Sequence, residues 1–302
     1  MRVERYRCQP ACLLRGEAKF ATASCVRRWL LIEREGPWGP TALTQSRIDA
    51  GTARSIGELA RAVGARPILI RKPGRPNSVT CRVYAAVTDA AQTWVESFAL
   101  PSVEALLGLD LLPLKRGLSV GGQRVEEPLF LVCTHGKHDA CCAQFGRPVA
   151  QALFARDPAS LWECSHIGGD RFAANLLCFP HGLYFGHVTP EAALRITSLY
   201  RTGRIDLEHY RGRPAYPFAV QAAEWFLRRE SGIDAVDALE LVRHTTAGEL
   251  LEALFAVRGG PPQLVKVRVS RDAPAVLLTC QSTEPAPPPR YELVAIEPRG
   301  SN

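Results

Sequence analysis

Residues 128–142 read PLFLVCTHGKHDACC, an apolar run that ends in polar and turn-forming residues. A short apolar segment of this kind predicts a buried β-strand ending at Cys133. Apolar residues then recur at helical spacing over 139–156, and 161–165 is a second short strand-like run closed by Gly168 and Gly169. The stretch therefore predicts a strand, a helical crossover and a second strand.

A hairpin and a helix complete this region. Residues 172–179 and 183–188 predict two strands joined through Pro180, His181 and Gly182. Thr189 and Pro190 predict the start of a helix that runs to about residue 200. The order β-α-β-β-β-α is typical of a small thioredoxin-like α/β sheet.

The same order recurs upstream, which indicates an internal repeat with a period of about 100 residues. Its predicted strands cover 29–33, 67–70, 79–87 and 93–100, with an amphipathic helix over 54–63 and a helix start at 101–107. Where the downstream copy has Cys133 and His135, the upstream copy has Glu33 and Glu35. The upstream copy is therefore predicted to be a degenerate partner without a site.

Three domains follow from this division. They are a degenerate thioredoxin-like N-terminal domain over 1–125, a thioredoxin-like domain carrying the site over 126–215, and a small helical and β extension over 216–302. The extension is predicted to contain helices over 218–230 and 247–256 and strands over 263–271, 275–281 and 291–296. A proline-rich, exposed connection is expected over 284–290.

The composition excludes several classes of protein. The net charge of +7 does not indicate nucleic-acid binding, because the basic residues are dispersed and mostly Arg. The longest stretch without Asp, Glu, Lys or Arg, 172–190, contains Asn175 and the break at Pro180, so no membrane span is expected. The first seven residues contain no apolar segment of a secretory signal.

The cysteines point to metal or redox chemistry. Ten Cys in a chain without an export signal are expected to stay reduced in the cytoplasm, where such roles are more common than disulfides. One segment is rich in both Cys and His: Cys133, His135, His138, Cys141, Cys142, Cys164 and His166. Thiolates suit iron–sulfur clusters or zinc, and imidazole suits iron or zinc.

The predicted sheet brings part of this segment together. Cys133 ends the first strand, Cys141 and Cys142 lie at the start of the crossover helix, and His166 and Asp170 flank the loop after the second strand. Strand ends and helix N-termini converge at one edge of such a sheet, which is where open α/β sheets place their sites.

Several motifs in the same order resemble the sucrase/ferredoxin-like family. They are Gly36-Pro-Trp-Gly39, Cys133-Thr-His-Gly136 with Asp139, Cys141 and Cys142, Cys164-Ser-His-Ile-Gly-Gly169, Arg171-Phe-Ala173, and Gln221-Ala-Ala-Glu224. The resemblance implies a thioredoxin-like ferredoxin domain with a 2Fe–2S cluster held by two Cys on one iron and two His on the other. The implied pattern is Cys, a second Cys nine positions on, and His-x-x-x-His, which Cys133, Cys142 and His166 match.

The fourth position departs from this pattern, since Asp170 stands where the second His is expected. A carboxylate is a harder donor than imidazole and adds negative charge, which would lower the reduction potential of a cluster. Three alternatives stay open: Asp170 is a ligand, Cys164 or Cys141 supplies the fourth donor, or the cluster is absent.

The remaining Cys and His have plainer interpretations. Free Cys often serves as a small core residue, and this is expected of Cys8, Cys12, Cys25, Cys81, Cys178 and Cys280. Cys164 alternates with Trp162 and is expected to face the core. His135 and His138 are expected to be hydrogen-bond partners of the ligands or surface residues, and not ligands themselves.

Three functions fit these residues. The leading one is a one-electron carrier that uses a 2Fe–2S cluster and a redox partner protein, and no nucleic acid or membrane. The second is a dithiol oxidoreductase, although Cys141 and Cys142 are adjacent and not in a Cys-x-x-Cys motif. The third is a mononuclear zinc protein using Cys133, Cys142, His166 and Asp170. An electron carrier is favoured over an enzyme, since no carboxylate pair indicates glycoside hydrolysis.

Overall fold

The computed structural model describes residues 6–74 and 80–299, which form two β-sheets and five α-helices. The helices are α1 (Cys8–Leu14), α2 (Ala50–Ala62), α3 (Ala140–Arg156), α4 (Pro190–Arg201) and α5 (Phe218–Ser231). The larger sheet contains β1 (Arg28–Glu33), β2 (Arg66–Arg71), β3 (Cys81–Thr88), β4 (Thr93–Leu100), β5 (Gln123–Arg124), β6 (Leu129–Cys133), β7 (Leu161–Cys164), β8 (Leu176–Phe179), β9 (Leu183–Phe185) and β10 (Tyr210–Gly212). The smaller sheet contains β11 (Leu239–Ala247), β12 (Leu250–Val257), β13 (Gln263–Ser270) and β14 (Arg290–Pro298).

The larger sheet contains the same strand arrangement twice. In the upstream half, β1 is parallel to β2 and antiparallel to β3, and β4 follows β3. In the downstream half, β6 is parallel to β7 and antiparallel to β8, and β9 follows β8. Helices α2 and α3 connect the two parallel pairs. The predicted α/β class with a thioredoxin-like strand order is confirmed, and the order appears in both halves.

Strands β2 and β7 join the halves into one ten-stranded sheet. They pair antiparallel, with Ile70 opposite Cys164 and Arg71 opposite Glu163. One buried apolar cluster beneath this junction contains side chains from both halves, among them Trp29 and Leu131. The predicted domain boundaries after residues 125 and 215 stay predictions.

The predicted helix starts near the site are present. The Asp139 carboxylate accepts a hydrogen bond from the backbone N of Cys141 at 2.8 Å and so caps α3. Thr189 caps α4 in the same way. The predicted strand over 172–179 begins only at Leu176, because Asp170–Phe172 forms a 3₁₀ turn. This turn directs the Asp170 side chain toward the start of α3.

The predicted helix over 247–256 is wrong. These residues form the β11–β12 hairpin, which turns at Gly248 with a φ of 59°. In β12, Leu251, Ala253 and Phe255 are buried while the residues between them are partly exposed. Burial of every second residue is the period of a β-strand. The buried face of β12 packs against α5.

Other sequence predictions need smaller corrections. Residues 101–107 start no α-helix, since Glu104–Gly108 is a 3₁₀ helix. Residues 275–281 form no strand and belong to the long connection between β13 and β14, which has one isolated bridge between Val276 and Ala286. Val79, the predicted start of β3, and residues 1–5, on which the prediction of no secretory signal rests, lie outside the described residues.

Within residues 6–74 and 80–299, no helix has the length and apolar character needed to cross a bilayer.

Candidate metal centre

The predicted site residues converge where β6 and β7 end and α3 begins. Cys133 is the last residue of β6 and pairs with Cys164, the last residue of β7. Cys142 lies in the first turn of α3, and His166 and Asp170 lie in the loop after β7. The topology thus brings Cys133 and Asp170, 37 positions apart, to one edge of the sheet. Open α/β sheets place their sites at this edge.

Cys133, Cys142 and His166 form a compact set of donors. A ligand atom of each lies within 4.8 Å of the others. Both thiols are almost fully buried, whereas the His166 side chain is 21% exposed. Within the described part of the chain, His166 is therefore the member of this donor set with an exposed side chain.

Asp170 is buried beside this set. Its Oδ1 lies 3.3 Å from Cys142 Sγ, which donates to it, and 2.9 Å from His166 Nδ1. The Nδ1 atom is buried and is not aligned for a hydrogen bond with Asp170 or with any other described residue. An imidazole nitrogen and a carboxylate oxygen that are close but not aligned for a hydrogen bond can both act as donors to one metal ion beside them. The soft thiolates, the imidazole and the carboxylate fit an iron–sulfur cluster or a zinc ion.

Among the three thiols at this edge, Cys133 is the one that favours the thiolate form. Hydrogen bonds from the Cys142 and Cys164 thiols hold the pKa of Cys133 well below its usual value, against the effect of burial. The bond to Cys133 and burial raise the pKa of Cys142, and burial followed by the bond to Cys133 raises that of Cys164. One thiolate is therefore already favoured, which lowers the cost of binding a cation.

His166 and Asp170 stabilise each other's charged forms. Burial alone would lower the pKa of His166, but nearby Asp170 and Cys133 outweigh it and raise the pKa to about 9. Burial alone would raise the pKa of Asp170, but the contacts with His166 and Cys142 lower it. The pair is therefore ionised at neutral pH when no metal is bound.

The two alternate Cys donors are placed differently. Cys164 contacts Cys133 but is not in the compact donor set, and it packs with Trp162 in the buried apolar cluster. Cys141 faces away from Cys142 and contacts Cys280 instead. Consecutive residues of a helix point about 100° apart, so adjacent Cys residues cannot easily share a site.

His135 and His138 both contact His166. His135 Nε2 lies 2.8 Å from the Gly39 carbonyl, and its Nδ1 accepts from the His166 backbone N at 3.2 Å. Burial lowers the pKa of His135, so it is neutral with its proton on Nε2. The His138 ring stacks on that of His166 at 3.8 Å, and a ligand atom of His138 lies within 4.8 Å of His166 and Asp170 donors.

The upstream half also contributes to the site, which the sequence did not indicate. Gly39 belongs to the Gly36-Pro-Trp-Gly39 motif, and Trp38 packs edge-on against His135 at 5.9 Å. The upstream copy therefore supplies no predicted ligand but positions the histidine that supports His166.

Arg211 holds the loop that carries His166 and Asp170. Its fully buried guanidinium donates to the Gly168 carbonyl at 3.1 Å and to Asn175 Oδ1 at 2.7 Å, and Asn175 donates to the Gly169 carbonyl at 2.8 Å. Burial lowers the pKa of Arg211 to about 10, so it stays cationic. No local signal marks Arg211, because its role depends on residues 36 to 43 positions away.

Gly169 is required by this packing. Its φ is 80°, and a Cβ there would lie 2.2 Å from the Arg211 guanidinium. Gly169 therefore allows Arg211 to pack beneath the loop, whereas a Cβ at Gly168 would meet the Ser24 hydroxyl.

The Gln221-Ala-Ala-Glu224 motif serves the fold and not the site. Gln221 donates to the Ala23 carbonyl at 2.9 Å and accepts from its backbone N. Glu224 pairs with Arg228 at 2.9 Å, and both are fully buried.

An α/β sheet with a buried Cys, His and Asp cluster at its edge defines this protein as a candidate metalloprotein of thioredoxin-like topology. A sequence model described as sucrase/ferredoxin-like matches residues 20–212. The chain belongs to the sucrase/ferredoxin-like family.

Two similar proteins were found. The altered inheritance of mitochondria protein 32 of Meyerozyma guilliermondii is 30% identical over 101 residues, and the match covers 30% of this chain and 36% of that protein. The chain thus matches little more than a third of this relative. A cysteine-to-serine variant of the thioredoxin-like 2Fe–2S ferredoxin from Aquifex aeolicus, solved at 1.05 Å, is 16% identical with a TM-score of 0.25, covering 28% of this chain and 97% of the ferredoxin.

Proposed function

We propose that the chain is an electron-transfer protein that holds a 2Fe–2S cluster with Cys133, Cys142, His166 and Asp170. The observation that carries this proposal is the convergence of two buried thiols with a facing but unaligned imidazole and carboxylate. A bound cluster would supply a one-electron couple. The protein would hold the cluster, exclude water from it and set its reduction potential.

The partner would meet the protein on the imidazole side. About a fifth of the His166 side chain is exposed, whereas the other three proposed ligands are buried. The ring of His138 stacks on that of His166. We propose that a redox partner protein docks over these two rings. The ten free cysteines of the chain support the cytoplasmic location proposed from the sequence.

Asp170 is the proposed fourth ligand. Its carboxylate is buried and close to both Cys142 and His166. His138 is a competitor that the structure adds, because its ring nitrogen lies near the same two donors, His166 and Asp170. His138 is held by its own contact with the Pro40 carbonyl at 3.3 Å and is more exposed.

A single zinc ion is the second candidate occupant. Three donors within 4.8 Å of each other also suit one tetrahedral ion with Asp170 as fourth donor. The contact between Cys133 and Cys142 is likewise what a dithiol oxidoreductase would need. Colour separates the iron–sulfur cluster from both of these candidates, because zinc is d¹⁰ and a dithiol does not absorb visible light.

The deciding experiment is an absorption and EPR spectrum of protein purified without oxygen, with iron, sulfide and zinc measured. We expect brown protein with about two iron and two sulfide per chain. Cys142→Ser should lose the iron, and Cys164→Ser should keep it as the matched buried-thiol control. Colourless wild-type protein whose site zinc is lost in Cys142→Ser would replace the cluster proposal with the zinc site.

A further inference from the structure

Four metal-ligating side chains meet on the opposite side of α3. Cys8 begins α1, Asp139 and Cys141 begin α3, and Cys280 lies in the connection between β13 and β14. One ligand atom of each lies within 4.8 Å of all the others. Cys8 and Cys280 are 272 positions apart, so only the tertiary structure brings them together.

The distances suit one tetrahedral ion. Cys280 Sγ lies 3.4 Å from Cys141 Sγ and 3.5 Å from Cys8 Sγ, and Cys8 Sγ lies 3.7 Å from Asp139 Oδ2. A zinc–sulfur bond of about 2.3 Å gives ligand–ligand distances of about 3.8 Å in a tetrahedron. These distances do not fit a disulfide, because bonded sulfurs lie about 2.05 Å apart. A disulfide between two of the three thiols would also leave the third unpaired.

Asp139 is a buried carboxylate without a cationic side chain paired to it among the described residues. Its side chain is nearly inaccessible, and its hydrogen-bond partners are the backbone N of Cys141, the backbone N of Cys280 at 3.0 Å and the Cys8 thiol. Within residues 6–74 and 80–299, no Lys, Arg or His forms an ion pair with it. A buried carboxylate without a positive partner is costly, and a divalent ion would supply that charge.

We propose that Cys8, Asp139, Cys141 and Cys280 bind one structural zinc ion. Three thiolates and one carboxylate complete a tetrahedron without an open position, as in structural zinc sites, and the thiol protons would pass to solvent on binding. The ion would fasten α1 and the 271–289 connection to the first turn of α3. That turn also carries Cys142, a proposed ligand of the first site.

Metal analysis of the full chain tests this proposal. Protein is purified without oxygen from zinc-supplemented culture, and zinc and iron are measured in the same samples. We expect about one zinc per chain, lost in Cys280→Ser with the iron and the visible spectrum unchanged. Cys12→Ser removes another buried thiol of α1, outside the four-residue cluster, and should keep the zinc.

The controls separate the two sites. Cys142→Ser should lose iron and keep this zinc, so failure of one site does not imply failure of the other. Co²⁺ added to metal-free Cys142→Ser protein should give the intense visible bands of tetrahedral thiolate coordination, and a further Cys280→Ser change should abolish them.

Two results would overturn the zinc site. One is zinc content that is the same in wild type and Cys280→Ser, and the other is folded wild-type protein without zinc. Cys280 lies on a connection and is partly exposed, so its variant decides the question even where Cys8→Ser does not fold.

Discussion

His166 Nδ1 lies 2.9 Å from Asp170 Oδ1, four residues further along the chain, yet the two atoms are not aligned for a hydrogen bond. The 3₁₀ turn at Asp170–Phe172 produces this arrangement, because it turns the carboxylate toward the ring and the Cys142 thiol. The pair occupies the third and fourth ligand positions of the proposed cluster.

Replacing Asp170 tests its place as the fourth ligand. Asp170→His should keep the iron and raise the reduction potential on the order of 100 mV, because neutral imidazole replaces an anionic oxygen. Asp170→Ala should lose most of the iron. Iron content and a redox titration followed by EPR measure both effects. If Asp170→Ala kept its full iron content and His138→Ala lost iron, the fourth ligand would be His138 and not Asp170.

Gly169→Ala should damage both the fold and the site. The left-handed φ costs about 1–2 kcal/mol with a Cβ, and the Cβ would also displace the Arg211 guanidinium. Gly203 is a matched control, since its φ is 73° and a Cβ there meets nothing within 4 Å. Urea unfolding should show a clearly larger loss for Gly169→Ala than for Gly203→Ala, and only the former should lose iron. Equal losses would contradict the packing argument.

Glu224→Gln should destabilise the fold without changing the cluster. It breaks a fully buried pair with Arg228 and a contact with Arg213 at 3.5 Å, which costs about 3–5 kcal/mol. Glu230→Gln, at an exposed pair with Arg229, should change the free energy of unfolding by less than about 1 kcal/mol. Chemical denaturation measures both, and the folded fraction of each should keep the wild-type spectrum. A loss below 1 kcal/mol in Glu224→Gln would show that this buried pair is not needed.

His187 should make the protein less stable in acid. Burial lowers its pKa to about 4, and its Nε2 lies 3.0 Å from the Arg171 carbonyl. The unfolded chain takes up the proton below about pH 6.5, whereas the folded chain does so only near pH 4. Its contribution is therefore present above pH 6.5 and lost as the pH falls through about 4, by about 2–3 kcal/mol.

The variant His187→Asn tests this assignment. Asn tolerates the left-handed φ of 52° at this position and does not titrate. Unfolding at pH 7 and pH 4 should show a smaller acid loss in His187→Asn than in wild type, and an unchanged loss in His244→Asn, where the side chain is exposed. Equal acid losses in all three proteins would exclude His187 as the source.

The sequence by itself determined the elements around the first site. The apolar run ending at Cys133, the helical spacing after Asp139 and the Thr189 cap are local signals, and β6, α3 and α4 follow them closely. Cys133 on β6, Cys142 on α3 and His166 just after β7 then meet, because parallel strand ends and the start of the crossover helix share one edge.

Tertiary structure decided what local pattern could not. The apolar residues of 250–257 fit the period of a helix as well as that of a strand. Packing against α5 selected the strand. The His135 contact with Gly39, the Arg211 support of the glycine loop and the meeting of Cys8, Cys141 and Cys280 join residues about 40 to 270 positions apart. Such contacts carry no periodic signal in the sequence. They form only when the two sheet halves join and the C-terminal connection folds back over the start of α3, so only the assembled chain shows them.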